Sequence, residues 1–274
     1  MIKKIIACGD IHIRNLRRQD EYQQQLQRFI DNCKEIASNY EDGEVRIVVA
    51  GDVLHNKLDI SAEGYILTTW FLRQLDKIAK TIVIAGNHDV NMNNLSRLDP
   101  LSMIFSTCKF NQVYYLDKNL NYESGVVEDD NVNWCLFSSF DGFRRPEGID
   151  ELERDGKAFI GLYHGLLTSS RTDTGFVVEN GLNPESFANL DFCIMGHIHR
   201  RQCIKYEGTP LVYCGSLIQQ DHGENLSGHG FIVIDVETCE YETVDIPNEE
   251  YGFYTFSIED IEDIENNKEE ILNL

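Results

Sequence analysis

Five short strand-like segments of this sequence each end in glycine and histidine, most of them together with a carboxylate or amide side chain. These endings are residues 9–12, 51–55, 86–89, 164–165 and 196–199. Ligands and catalytic groups of α/β proteins gather at the carboxyl ends of strands, so we expect the five endings to converge on one crevice. A glycine in each ending permits the tight turn and close backbone approach that such a crevice requires.

Apolar runs with strand character recur along the chain, and helical patterns separate the early ones. The runs lie near residues 5–8, 45–50, 81–85, 134–138, 159–163, 192–195, 211–213 and 231–235. One helix is predicted from an apolar stripe between Leu26 and Tyr40. A second is predicted to begin after Ser61 as its N-cap and to reach Lys80. This order predicts an α/β fold with one main domain.

Hydropathy and cysteine usage indicate in which cellular compartment the protein is expected. No apolar run approaches the roughly 18 residues that a membrane helix needs, so no membrane contact is expected. The eight cysteines include no Cys-x-x-Cys pair, which favours free thiols in a reducing environment. We therefore expect a cytoplasmic protein.

The net charge of -22 is unusual for a protein that binds nucleic acid, because affinity for phosphates normally comes from basic side chains. Fourteen carboxylates and one lysine lie between Asp235 and Leu274, so much of the acidity belongs to the tail. Two divalent ions would also add positive charge where a phosphate binds. The global charge therefore does not exclude a phosphodiester substrate.

The strand endings have the donor chemistry of a transition-metal site. Six of the eight histidines lie in these endings, most of them beside carboxylate or amide oxygens. Imidazole combined with such oxygens suits Mn, Fe or Zn rather than Ca. Each ending alone is more often an ordinary turn, but five in order at strand ends indicate a metal site.

The endings resemble the five motifs of the calcineurin-like metallophosphoesterases. The matching motifs are Asp10-x-His12, Gly51-Asp52, Gly86-Asn87-His88-Asp89, His164 and Gly196-His197-x-His199. The resemblance implies a β-sandwich flanked by helices, in αββα layers, over residues 1–247. An acidic segment over residues 248–274 would follow it. Two divalent metal ions are also implied, most readily Mn²⁺, with Fe or Zn as alternatives.

This resemblance assigns roles to eight residues of the motifs and leaves the role of Asp89 open. The implied ligands of one metal ion are Asp10, His12 and His199. The implied ligands of the other ion are Asn87, His164 and His197. Asp52 is implied to bridge the two ions, and His88 to donate a proton to the leaving oxygen.

Further features resemble the nuclease subunit of SbcCD-type double-strand-break repair complexes, including its phage and viral relatives. His55 follows Asp52 by three residues, and Gly215-Ser216 follows the last motif after a predicted strand. The segment 164–202 is similar to that of the viral relatives. The resemblance implies a Mn-dependent DNA exonuclease or endonuclease subunit in DNA recombination and repair. His55 would then help to position the DNA strand and the proton donor.

The same resemblance implies partners, namely DNA, an SbcC-type coiled-coil ATPase subunit and a second copy of the chain. SbcCD-type nuclease subunits continue into a DNA-capping domain and ATPase-binding helices, whereas only a short segment follows Pro247 here. This chain is then either a compact version of the subunit or a truncated one, and neither the capping domain nor the ATPase-binding helices are carried over to its residues.

Arginines near the motifs are candidates for contacts with a phosphate backbone. The candidates are Arg14, Arg17, Arg18, Arg171, Arg200 and Arg201. A further pair consists of Arg144 and Arg145. Solvated surface arginines are equally common, so both interpretations stay open for any one pair.

Two other functions stay open beside the nuclease. The first is a phosphodiesterase or phosphatase that acts on a small molecule or a phosphoprotein, and the acidic charge favours it. The second is a non-catalytic scaffold that keeps the fold. The intact ligand set and the retained His88 argue against the scaffold.

Overall fold

Helices interleave with the first strands of the molecule, and strands dominate its second half. This computed structural model describes residues 1–57, 59–94, 96–254 and Lys268. The strands are β1 (Lys4–Cys8), β2 (Val45–Ala50), β3 (Lys80–Ile84), β4 (Val113–Tyr115), β5 (Gly125–Asp129), β6 (Val132–Phe137), β7 (Ala158–His164), β8 (Phe192–Gly196), β9 (Gln202–Tyr206), β10 (Thr209–Tyr213), β11 (Gly230–Asp235) and β12 (Tyr241–Asp245). The α-helices are α1 (Gln19–Ala37), α2 (Ala62–Leu75), α3 (Pro100–Thr107) and α4 (Leu116–Asn119). Short 3₁₀ helices cover Ser139–Asp141 and Pro184–Phe187.

The strands form two mixed sheets of six strands each. The first sheet has the order β12-β11-β1-β2-β3-β4, and the second has the order β5-β6-β7-β8-β10-β9. Strands β1 to β4 are parallel, and so are β6, β7, β8 and β10. Strands β11, β5 and β9 pair antiparallel with these cores, and β12 pairs antiparallel with β11. Each sheet therefore has a parallel core whose carboxyl ends lie at one edge, where ligand sites of α/β proteins form.

The two sheets pack face to face around a buried apolar layer. Ile5 and Ile82 of the first sheet share this layer with Trp134 and Ile160 of the second. A second apolar cluster lies between the first sheet and helices α1 and α2. A third cluster covers the outer face of the second sheet, and the 3₁₀ helix Pro184–Phe187 contributes to it. Central strands buried on both faces explain the nearly continuous apolar runs of the sequence.

A buried ion-pair network joins the two sheets at the amino ends of β2 and β3. Asp129, the last residue of β5, accepts hydrogen bonds from Nε of Arg46 at 2.7 Å and from Nζ of Lys80 at 2.8 Å. The side chains of Arg46 and Asp129 are only 8% and 7% exposed. Burial raises the pKa of Asp129, but Arg46 and Lys80 outweigh burial and lower it to about 2. The carboxylate therefore stays charged and pairs with two cations.

The predicted α/β fold class is confirmed by two mixed sheets with flanking helices. Helix α2 begins after Ser61 as predicted, because the Ser61 hydroxyl accepts from a backbone N–H of the first turn. It ends at Leu75, however, and not at Lys80. The Asp76 carboxylate accepts from the backbone N–H of Gln112 at 2.7 Å, which ties the helix end to the start of β4, and Lys80 opens β3.

Four of the strands in the described part of the chain were not predicted from the sequence, and all four are edge strands. They are β12 and β4 in the first sheet, and β5 and β9 in the second. Most residues of β5, β9 and β12 are partly or fully exposed, and β4 has only three residues. Edge strands carry polar side chains and therefore produce no continuous apolar run.

Three further expectations concern the periphery of the molecule. Among the described residues, no helix is long and apolar enough to cross a membrane. All eight cysteines are free. Residues 248–254 pack against α1, whereas residues 255–267 and 269–274 lie outside the described residues. The predicted boundary after residue 247 stays a prediction.

Candidate active site

The carboxyl ends of β1, β2, β3, β7 and β8 meet at one edge of the two sheets. Donor atoms that belong to the predicted metal ligands lie in two adjacent clusters at this edge. The seven predicted ligands are Asp10, His12, Asp52, Asn87, His164, His197 and His199. The structure thus brings together the whole set, with both sheets contributing. The role of these residues as metal ligands stays a prediction.

Four of the seven residues have a backbone conformation that side chains rarely adopt. The φ angles of Asp10, His12, Asp52 and His197 are 50°, 53°, 51° and 98°. Left-handed backbone of this kind is costly for residues other than glycine, and it clusters at functional sites. Tyr22 of α1 supports one of these turns, because its buried hydroxyl donates to the carbonyl of His12 at 2.5 Å. The local strain is thus held by surrounding contacts.

The first cluster consists of Asp10, His12 and His199. One donor atom from each lies within 4.8 Å of the others. The Nε2 atoms of His12 and His199 face each other at 3.1 Å. The Asp10 carboxylate accepts from the backbone N–H of His197 at 2.9 Å, which fixes its orientation. Two imidazoles and a carboxylate in this arrangement suit one transition-metal ion.

The second cluster consists of Asp52, His164 and His197, with Asn87 beside them. Oδ2 of Asp52 lies 3.2 Å from Nε2 of His164. Oδ1 of Asn87 lies 3.3 Å from the same Nε2 atom and 2.6 Å from Nδ1 of His197. Carboxylate, amide and imidazole donors therefore surround a second position.

Asp52 lies between the two clusters. Its Oδ2 atom is 3.5 Å from Nε2 of His12 in the first cluster and 3.2 Å from Nε2 of His164 in the second. Its Oδ1 atom accepts from the backbone N–H of His88 at 2.7 Å. This position is the one that a bridging carboxylate requires.

Hydrogen bonds at the far side of two imidazoles fix which nitrogen is available to a metal ion. Nδ1 of His164 donates to the carbonyl of Ala50 at 2.7 Å, since a carbonyl can only accept. Nδ1 of His199 lies 2.6 Å from Oε1 of Glu224. Both rings therefore direct Nε2 towards the clusters, as metal-ligating histidines do. The lone pair of His164 Nε2 would face two oxygens, so the arrangement fits a cation between them.

The pKa shifts of the residues in the second cluster also indicate that the site favours positive charge. Burial lowers the pKa of His164, but the facing Asp52 carboxylate outweighs burial and raises it to about 10. Burial raises the pKa of Asp52, but His164 and its neighbours lower it overall. Burial and the charge of His164 lower the pKa of His197 to about 4. The Asp52 carboxylate thus favours positive charge at this position.

His88 lies beside the clusters with one free ring nitrogen. Its Nδ1 atom donates to the backbone carbonyl of His55 at 2.7 Å, so Nε2 is left available. The rings of His55 and His88 stack with their centroids 5.2 Å apart. Nδ1 of His55 in turn lies 3.4 Å from Nδ1 of His12. His55 therefore contacts the predicted proton donor mainly through its backbone and its ring face.

Three buried carboxylates support the site, and only Asp89 was singled out from the sequence. Asp89 accepts from the backbone N–H groups of Val53, Leu54 and Gly86, and burial together with Asp52 raises its pKa to about 8.

Asp117 accepts from the backbone N–H of Ala85 at the end of β3. Glu224 holds His199 as described above. Asp117 lies in the one-turn helix α4 and Glu224 lies in a loop. A single acidic residue in either setting carries no periodic pattern, so nothing in the sequence pointed to these two.

Two positions of the site require glycine because predicted ligands pack directly against their Cα atoms. A Cβ atom on Gly86 would lie 2.1 Å from Oδ1 of Asp52. A Cβ atom on Gly51 would lie 2.4 Å from Nδ1 of His164, and the φ angle of Gly51 is 85°. Any larger residue at either position would displace a predicted ligand.

The candidate arginines differ in how close they lie to the two clusters. Arg14 lines the pocket of the two clusters, and Arg17 and Arg18 line the cleft beside it. Arg201 is engaged by Asp245 and by two backbone carbonyls.

The other candidates lie outside the pocket that holds the clusters. The exposed residues Arg171 and Arg200 are joined through the side chain of Gln202. Arg145 pairs with Asp150, and Arg144 donates its backbone N–H to Asp141. Arg14 is thus the candidate that reaches the clusters, and contact with DNA stays a prediction for all of them.

Comparison with known proteins identifies relatives of the chain. Residues 3–201 match the calcineurin-like phosphoesterase family. The uncharacterized protein R555 of Acanthamoeba polyphaga mimivirus is 37% identical over 275 residues, and the alignment covers 96% of this chain. The chain spans 19% of the length of that relative.

Solved structures share the fold at low sequence identity. A putative 5'-nucleotidase from Staphylococcus aureus is 14% identical with a TM-score of 0.52, over 98% of this chain and 58% of its own. A novel archaeal phosphodiesterase is 13% identical with a TM-score of 0.42, over 89% of this chain and 99% of its own. The likeness to the nucleotidase supports the two-sheet fold alone.

Proposed function

Because the chain belongs to the calcineurin-like phosphoesterase family, we propose that it is a two-metal phosphodiester hydrolase that cleaves DNA. The family membership and the His/Asp clusters support metal-dependent hydrolysis of a phosphoester. The DNA substrate, the preference for Mn²⁺ and a role in recombination and repair are the proposed part.

The residues of the site divide the work of hydrolysis. When bound, divalent ions would supply an activated water and would stabilise charge on the phosphate oxygens. Asp52 would hold both ions because its carboxylate lies between the clusters. Arg14, at the rim of the pocket, would bind a phosphate oxygen that the ions leave free.

His88 would protonate the leaving oxygen. Its Nδ1 proton is committed to the carbonyl of His55, so a second proton on Nε2 is the one that can be transferred. The carbonyl of His55 and its stacked ring hold the imidazole in one orientation. His55 is therefore proposed as the residue that positions the proton donor.

The size of the pocket is the observation that favours a polymer over a small molecule. The cavity lined by His12, Asp52, His88 and their neighbours has a volume of about 160 Å³. Pockets that enclose a whole small ligand typically measure roughly 300–1,000 Å³. This cavity can hold a phosphoester group while the rest of the substrate lies outside. A DNA strand meets that condition, and so does a phosphoprotein.

A small-molecule phosphodiesterase or a phosphoprotein phosphatase is the second candidate. The net charge of -22 favours it, since a large negative charge opposes binding of a polyanion. An SbcC-type ATPase subunit and a second copy of the chain remain proposed partners of the nuclease. A non-catalytic scaffold would not need the complete donor set.

One experiment separates these functions. Purified protein with Mn²⁺ is incubated with end-labelled duplex DNA, single-stranded DNA and bis(p-nitrophenyl) phosphate, and the chelated protein and Asp52→Asn serve as controls. We expect DNA cleavage that requires both the metal and Asp52. Hydrolysis of the aryl diester without cleavage of either DNA would favour the second candidate. No hydrolysis of any substrate would favour the scaffold.

A further inference from the structure

A second cleft adjoins the pocket of the two metal clusters. It has a volume of about 610 Å³ and shares Arg14, Gln220 and Asp221 with that pocket. Its other walls include Arg17 and Arg18 from the loop before α1, His222, and Tyr251 and Phe253 near the end of the described chain. A substrate with its phosphoester at the clusters can therefore extend into this cleft.

The far wall of the cleft is the C-terminal segment, residues 248–254, and it is pinned to the rest of the molecule. Nδ2 of Asn248 donates to Oε1 of Glu21 in α1 at 2.7 Å. The backbone N–H of Phe253 donates to Oε1 of Gln219 at 2.7 Å, and Nε2 of Gln219 donates back to the Phe253 carbonyl at 3.2 Å. The cleft is thus a built feature of the fold.

Arg18 is part of this wall. Its guanidinium pairs with Glu21 at 2.5 and 2.6 Å and donates to the carbonyl of Gln219 at 2.6 Å. The same group lies 4.7 Å from the ring centroid of Phe253. These contacts use most of its donors and its flat face. Arg18 therefore holds the C-terminal segment in place.

Two other arginines keep donors for a ligand. The Arg17 side chain is exposed and makes no hydrogen bond or ion pair with the described residues. Arg14 donates from Nη2 to the carbonyl of Gln220 at 3.3 Å, and its Nε atom is buried without a partner. The buried Gln220, 4% exposed, has an Oε1 atom that also lacks a partner within the described residues. The boundary between pocket and cleft thus has unused donors and an unused acceptor.

Aromatic rings line the same cleft as these arginines. His222 is exposed, and its ring centroid lies 4.7 Å from that of Phe253. Tyr251 is partly exposed in the same cleft. Sites for single-stranded nucleic acid combine such ring faces, on which bases stack, with basic side chains along the backbone.

We propose that this cleft binds a nucleotide that flanks the scissile phosphate in a single-stranded segment of the substrate. The neighbouring phosphate contacts Arg17, next to the scissile phosphate that Arg14 binds, and the base stacks on His222 and Tyr251. Asp20 and Asp221 also line the cleft and offset the two cations. Stacking therefore contributes more than net charge, and the affinity depends only weakly on salt. This inference rests on the proposed nuclease function.

The test compares Arg17→Ala, His222→Ala and their double variant with the wild type, and Arg73→Ala on the exposed face of α2 is the matched control. Kinetics are measured on a labelled single-stranded oligonucleotide and on bis(p-nitrophenyl) phosphate, which lacks a nucleoside. Loss of one stacked base is expected to raise KM for the oligonucleotide by about fivefold or more. The rise is expected to be smaller on the aryl diester, and Arg73→Ala should match the wild type.

Fluorescence anisotropy with the same oligonucleotide and Mn²⁺, with every protein carrying His88→Asn to slow cleavage, measures binding independently of cleavage. Weaker binding by the variants supports the cleft whether or not DNA is cleaved. Wild-type binding by the double variant, or no binding by the wild type, would overturn the cleft. Hydrolysis of the aryl diester alone would instead overturn the DNA substrate, so the two failures are distinguishable.

Discussion

Oε1 of Glu224 lies 2.6 Å from Nδ1 of His199, and this hydrogen bond fixes the ring that faces His12 across the first cluster. The Glu224 carboxylate is itself held, because its Oε2 atom accepts from the backbone N–H of Gln220 at 2.8 Å. Burial lowers the pKa of His199, but Glu224 outweighs burial and raises it to about 9. A residue of a polar loop thus determines the orientation of a strand-end ligand.

Replacing Glu224 with Gln should weaken metal binding without removing any ligand. The neutral amide keeps the shape but loses the charge that orients and polarises His199. Such changes typically cost about 10- to 100-fold in metal affinity. Isothermal titration with Mn²⁺ measures the affinity, and the exposed Glu237→Gln is the control. Unchanged affinity in Glu224→Gln would show that the backbone alone positions His199.

Replacing Asp52 with Asn should remove activity and lower the metal content together. Oδ2 of Asp52 is the carboxylate oxygen that lies within 3.5 Å of an imidazole from each cluster. Metal content after dialysis and the rate on an aryl diester are measured on the same sample. Two bound ions in the variant would mean that another group bridges the clusters.

Replacing His88 with Asn should separate metal binding from proton donation. The variant keeps every predicted ligand, so both ions should stay bound. General acid catalysis contributes roughly 10²- to 10⁴-fold, and this loss is expected on DNA, whose leaving alkoxide needs a proton. An aryl oxide leaves easily as the anion, so the loss on bis(p-nitrophenyl) phosphate should be much smaller. Equal losses on both substrates would point to a positioning role, and a lost ion would make His88 a ligand.

Replacing Asp129 with Asn should destabilise the packing of the two sheets in a pH-dependent manner. Removing one partner of a buried ion pair typically costs about 3–5 kcal/mol. The pKa of Asp129 is lowered from 3.8 to about 2 in the folded protein. Its stabilising effect is therefore present above pH 3.8 and is lost as the pH falls through 2.

The free energy of unfolding, from urea titrations at several pH values, checks this prediction. The difference between the wild type and Asp129→Asn should be largest near neutral pH and should shrink below pH 4. Asp130→Asn, at a neighbouring exposed carboxylate, is the matched control. A difference that does not vary with pH would indicate that hydrogen bonding, and not charge, is what the Asn variant loses.

The residues of the site at strand ends could be predicted from the sequence, but the contacts that support them could not. Asp52 and His88 follow buried strands directly, so their apolar runs and glycines place them at the same edge. Glu224 lies in a polar loop, and its partner His199 is 25 residues away in sequence. Only the folded chain brings the two together. The contacts of Arg18 with the Gln219 carbonyl and the Phe253 ring were likewise hidden, since an arginine looks the same in sequence whether it packs or binds a ligand.

Because the site lies between the two sheets, metal binding is expected to stabilise the packing of one sheet against the other. Asp52 comes from the first sheet and His164 from the second, so an ion held by both would act as a crosslink between halves of the molecule. An ion that binds only the folded chain raises the free energy of unfolding by about 2.7 kcal/mol at 100 times its dissociation constant. The melting temperature should therefore rise with free Mn²⁺, even in His88→Asn. The metal-free protein would then unfold more easily as well as lack activity.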